Sequence, residues 1–114
     1  MSNIGQARRD IAAKLTANGV PCSTDPKVTT PAVLVGSPTV VGSQGIGGWQ
    51  VEFPIQILGT PPGNEQSLDW MLDQLEMALA IFPGSAFPRV VDHAGGECPA
   101  YVLTVVQSVA NPNC

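Results

Sequence analysis

Charge is what this sequence has least of, and the shortage constrains its partners. Only 12% of the 114 residues are Asp, Glu, Lys or Arg, where about a quarter is usual, so much of the surface is expected to be covered in an assembly. The five basic residues, Arg8, Arg9, Lys14, Lys27 and Arg89, form no dense patch, and the net charge is −4. A primary role in specific nucleic-acid binding therefore lacks its electrostatic source. A weakly acidic surface is still compatible with DNA passing by, because it repels the duplex and lets it slide. Cys22, Cys98 and Cys114 are odd in number, with no C-x-x-C pair and no His at ligand spacing, so neither a zinc site nor a closed disulfide framework is indicated. They read as reduced thiols in a cytoplasmic setting. No run approaches the roughly 20 apolar residues of a membrane span. Arg8, Arg9, Asp10 and Lys14 interrupt the N-terminal apolar pattern, unlike a signal peptide. The expectation is a protein made and kept in the cytoplasm, with no membrane partner.

What the chain does have is apolar material, 44% of 114 residues, enough for one domain over 1–114 with a core that needs no metal or disulfide. Ile4, Ala7, Ile11 and Leu15 recur on one face of a first helix, with Ser2 or Asn3 as N-cap and Asn18-Gly19 followed by Pro21 as its stop. Residues 20–31 read as an irregular connection, Ala32 to Val35 as a strand and Gly42 to Gly48 as a flexible loop. Trp49, Val51, Phe53, Ile55 and Ile57 alternate with Gln50, Glu52, Pro54 and Gln56, the period of a strand with one buried face. Pro54 lacks a ladder donor, which predicts that this strand lies at an edge or is bulged there. Residues 89–91 form a possible short strand. Tyr101 to Val109 close the chain as a strand expected nearer the middle of the sheet than the one at 49–58, because Val102 and Val106 make both faces apolar. The order helix, strand, strand, helix, strand predicts an α+β fold, a mainly antiparallel sheet with both helices packed on one face.

The second helix, between Asn64 and Phe82, is the most informative segment. At about 100° per residue, Leu68, Met71, Leu72, Leu75, Leu79 and Phe82 form one stripe that reads as core. Asp69, Asp73 and Glu76 cluster beside it. Trp70, Met77 and Ile81 line up nearly opposite, where a solitary domain places polar residues, and are read as a contact surface. The competing reading covers them with a loop of the same chain.

Chemistry is sparse. His93 is the single histidine; Asp92 precedes it and Cys98 follows nearby, yet neighbours on an extended chain point to opposite sides, so no relay is implied. The run Gly42-Ser43-Gln44-Gly45-Ile46-Gly47-Gly48 lacks the Gly-Lys-Ser/Thr ending of a phosphate loop and opens a strand, which makes it a hairpin loop. Asp69, Asp73 and Glu76 have spacings that suit a hard cation but read as a solvated face. Ser37 and Ser43 have no partner base. The reading is non-enzymatic, with no catalytic residue, cofactor or metal.

The layout of a short N-terminal helix, paired strands around a Gly-rich loop, a strand ending Ile57-Leu58-Gly59, a helix carrying Leu-Asp-Trp-Met-Leu-Asp-Gln-Leu at 68–75 and a closing strand Tyr-Val-Leu-Thr-Val-Val-Gln-Ser-Val at 101–109 resembles the tail terminator (tail completion) proteins of long-tailed bacteriophages. The resemblance covers roughly 4–109 and rests on element order and texture, with no signature motif. It implies a virion structural protein, assembled in the host cytoplasm, that forms a homo-oligomeric ring, commonly hexameric. Such a ring sits at the head-tail interface, caps the tail tube protein on one face and meets a head-tail connector or stopper on the other, and DNA passes through it. In that role Trp70, Met77 and Ile81 are candidates for lateral contacts, and Pro54 with the loop around Gly45 and Gly47 for contacts along the tube axis. The alternatives are another phage neck or tail protein, a stopper or tube subunit, and a small cellular α+β ligand-binding domain using His93 and Cys98.

Overall fold

The computed structural model describes residues 3–25, 27–43, 47–60, 65–93 and 96–110. The fold is α+β, two helices packed on a mostly antiparallel six-stranded sheet. Helix α1 spans Asn3–Ala17 and buries Ile11, Ala12 and Leu15. It ends as the Asn-Gly pair dictates: Gly19 takes φ +92°, and the Asn18 and Val20 amides both donate to the Leu15 carbonyl, at 3.1 and 2.9 Å, a left-handed glycine closing the helix. The strands are β1 (Cys22–Ser23), β2 (Ala32–Val35), β3 (Thr39–Ser43), β4 (Gly48–Leu58), β5 (Ala86–His93) and β6 (Gly96–Ala110), in the order β1-β2-β4-β6-β5, with β3 also on β4. Only the β1–β2 pair is parallel. Helix α2 spans Glu65–Ile81; its expected cap, Asn64, lies outside the described residues.

Strand β4 is central, which corrects the edge assignment that Pro54 suggested. Its whole length pairs with β6, while β2 and β3 share its other flank, β2 against 55–58 and β3 against 49–52. Pro54 falls where these two strands break. Its carbonyl accepts the Gly36 amide at 2.8 Å, and the N and C=O of one strand residue face the same flank. The missing N–H therefore points into the gap between β2 and β3, where no ladder bond is lost. The expectation that β6 lies nearer the middle than β4 is corrected too: β6 is paired on both sides, but only β5 separates it from the edge, and Val106 on its reverse face is exposed.

The core lies between one sheet face and the helices. Val51, Phe53, Ile55 and Ile57 of β4 are fully buried with Val33, Val35 and Leu103, and Val105 and Val109 are buried beside them. Burying a side chain of this size stabilises by about 1.5–3 kcal/mol, so the alternation in β4 alone contributes a large fraction of a typical net stability. On the reverse face Leu34, Leu58 and Ala100 form a smaller cluster, packed by Val28 and Val91. Val28 comes from the β1–β2 connection, so that segment crosses the reverse face.

Two glycines mark close approaches. Gly48 has φ +143°, and a Cβ there would collide with the Val109 carbonyl oxygen. At Gly59 a Cβ would come within 2.7 Å of Ser67 Oγ and 2.9 Å of Met71 Sδ, so this glycine lets β4 run beneath the first turn of α2.

Candidate interaction surface

Helix α2 sits on the sheet in a different rotation from the one its Leu stripe suggests. The buried positions are Met71, Leu75 and Ala78. Trp70, Leu79, Ile81 and Phe82 pack half-buried against the same core, whereas Leu68 and Leu72 are exposed. At about 100° per residue the two apolar stripes are the shoulders of a single arc of about 220°. The small side chain of Ala78 lies at the middle of that arc, where it permits the closest approach to the sheet.

Of the proposed contact stripe, Trp70 and Ile81 are half-buried and Met77 is exposed. Trp70 and Ile81 pack on this chain's own core, and Trp70 borders a hollow lined by Pro31, Thr60, Gln66 and Ser67. The Met77 methyl lies against the end of α1, 3.1 Å from where a Gly19 Cβ would stand. Pro54 is half-buried on the reverse face of a central strand. Gly47 is exposed with open space around it. Gly45 lies outside the described residues.

The residues set aside as chemistry are held structurally. The His93 ring nitrogen Nε2 bonds the Val28 carbonyl, tying the tip of β5 to the loop on the reverse face. Asp92 pairs with Glu97 in register, and Cys98 with Val91, so Asp92 and Cys98 lie on opposite faces of the strand pair. Cys98 is buried, and burial pushes its thiol up; desolvation likewise pushes Cys22 up to about 11, against smaller lowering effects from a Val35 backbone hydrogen bond and Arg8. These thiols are poor nucleophiles. A groove of about 620 Å³ runs past Arg8, Gly36, Pro54, Gln56 and His93. There Arg8 Nε donates to the Val35 and Gly36 carbonyls and Nη2 to those of Thr24 and Val35, at 2.6–3.1 Å, so the guanidinium fastens α1 over the end of β2. Among the described residues no three His, Cys, Asp or Glu side chains are grouped to hold a metal ion, and no helix is long and apolar enough to cross a membrane.

Exposed apolar side chains lie on α2 and on three strands. Eight large ones are exposed among the described residues: Val40 and Val41 on β3, Leu68, Leu72 and Met77 on α2, Phe87 and Val90 on β5, and Val106 on β6. Strand β5 is an outer edge; β3 lies on the opposite flank of β4. Between α2 and β5 runs an apolar groove of about 420 Å³ lined by Leu68, Met71, Pro88, Val90, Pro99 and Tyr101, left because α2 lies over β4 and β6 and stops short of the edge. The sequence reading did not single out Val40, Val41, Phe87 or Val90 as surface residues. Their one local signal was Pro88, which is tolerated in a strand at an edge.

Compared with protein-family descriptions, curated proteins and solved structures, the chain finds no match in any of the three.

Proposed function

We propose that this chain is a structural subunit of a closed assembly, and specifically a tail terminator of a long-tailed bacteriophage, which forms a ring, commonly of six copies, on the last ring of the tail tube. The observation that carries this reading is the placement of exposed apolar side chains on β3 and β5, at opposite flanks of one sheet. A ring needs two different lateral surfaces on each copy, related by a rotation that closes. The scarcity of charge and the element order that resembles the terminators point the same way. In this role no side chain is asked to do chemistry. The tube protein and the head-side connector or stopper are the axial partners, and the weakly acidic chain lets DNA pass.

The test is native mass spectrometry of the purified protein over a concentration series, with negative-stain images of the protein alone and mixed with purified tail tubes. The expected result is closed rings of one size, or caps on tube ends. Growth into tubes of unlimited length would identify a tube subunit instead. Protein that stays monomeric and leaves tube ends bare would remove the terminator reading.

A further inference from the structure

We infer that copies of this chain join head to tail by antiparallel strand addition, the β5 edge of one copy against the β3 edge of the next; the inference rests on the ring reading above and names its lateral contact. Among the described residues three strands are paired on one side only, β1, β3 and β5; β1 has just two residues, so β5 and β3 offer the longer backbone edges. On β5, the Pro99 carbonyl of β6 accepts the Gly59 amide at 2.8 Å on the β4 side, so Ala100 and its register partner Arg89 face each other. By alternation, Ala86, Pro88, Val90 and Asp92 turn their backbone groups outward. Pro88 has no N–H to lose there, but the Val90 and Asp92 amides and all four carbonyls are presented at the edge. On the other flank, β3 is held by β4 on one side only. Each edge carries two exposed apolar side chains, Phe87 and Val90 on β5 and Val40 and Val41 on β3. In the sheet β3 and β6 are each antiparallel to β4, and β5 to β6. The two edges therefore run in opposite directions when sheets are laid side by side in one orientation.

Charge selects this arrangement over a two-fold pair. Helix α2, beside the β5 flank, carries Glu65, Asp69, Asp73 and Glu76 and no cation. Helix α1, which packs on β1, β2 and β6, carries Arg8, Arg9 and Lys14 against Asp10 alone. Joining β5 to β5 in one continuous sheet would bring two acidic helices together, whereas β5 on β3 sets the acidic helix of one copy against a chain flank without that helix. A contact between unlike surfaces closes into a ring when its rotation divides a full turn.

The test uses one blocked edge at a time. Val90→Pro removes an outward N–H without touching the β6 ladder, and Val40→Lys places a charge on the β3 edge. Each variant should keep the wild-type circular dichroism and raise the concentration at half-assembly by about tenfold or more. Mixed in equal amounts, they should give a one-to-one heterodimer by native mass spectrometry, because each retains the edge the other lacks. If Val90→Pro loses the wild-type spectrum, Val90→Lys takes its place. Wild-type-sized rings from both variants would overturn the inference and leave the ring reading intact. Loss of assembly in the β5 variant alone would also overturn it, since β5 would then pair with itself. Wild-type protein that is monomeric at every concentration overturns it too, and capping of tail tubes by that monomer would leave the terminator reading standing.

Discussion

Gln74 turns inward on α2, and its Oε1 is buried with no hydrogen-bond partner. An orphaned buried polar atom costs about 1–3 kcal/mol, so Gln74→Met, which keeps the length and flexibility of the side chain, should stabilise the fold by about 1 kcal/mol. The check is a higher urea midpoint at unchanged m-value; a lower midpoint would show that the amide is satisfied in solution. Cys22 gives a second prediction at this scale. Its thiol is raised from 9.0 to about 11 by burial, so the folded protein favours the protonated form. The unfolded chain releases that proton first, and the stabilisation present below pH 9 is lost as pH rises toward 11. Cys98 is shifted the same way. Cys22→Ala should flatten part of the alkaline fall in stability, measured as urea midpoints across that window. Both features escape a sequence reading because they depend on where α2 and β1 place one side chain relative to the core.

Among the elements, α2 shows how a periodic pattern can be right about helix and wrong about rotation. Its extent and its amphipathic nature follow from spacing, but two apolar shoulders leave two ways to lay the helix down. Ala78 decides between them. A helix approaches a sheet most closely over its smallest side chain, and the reading that counted only large apolar residues passed over it. Two outcomes follow. Trp70→Asp places a carboxylate against the core and should cost about 3 kcal/mol, so any loss of assembly would track loss of folded protein by circular dichroism. Folding at wild-type stability would restore Trp70 as a surface residue. Gly48→Ala meets both an unfavourable φ and the Val109 carbonyl, and should cost 2 kcal/mol or more, read as a drop in thermal midpoint. The strand pattern of β4 was legible for the opposite reason: four alternating apolar residues admit one buried face, whatever pairs beside them. Which strands pair beside them was not legible, and that is why Pro54 pointed to an edge that is really a gap between β2 and β3.

At the scale of the whole molecule the question is what makes one flank differ from the other. The low charge content was readable at once and suggested an assembly, but the surface carrying it depends on sheet order. That order places β5 and β3 on opposite flanks through pairings between residues distant in sequence, a link that local periodicity does not encode. The helices also differ in charge, the acidic α2 packing on β4 and β6 and the more basic α1 on β1, β2 and β6. If copies join head to tail, no contact in the ring sets one acidic helix against another. Exposed charges are screened over about 10 Å at 0.1 M salt and about 3 Å at 1 M. Raising the salt from about 0.1 to about 1 M should therefore leave the concentration at half-assembly largely unchanged. Apolar burial at β5 and β3 would persist, since salt does not weaken it. A two-fold pair of acidic flanks would instead tighten as salt screens its repulsion. Sedimentation velocity at the two salt concentrations thus distinguishes the two arrangements without a mutation, and tighter assembly at high salt would count against the head-to-tail contact.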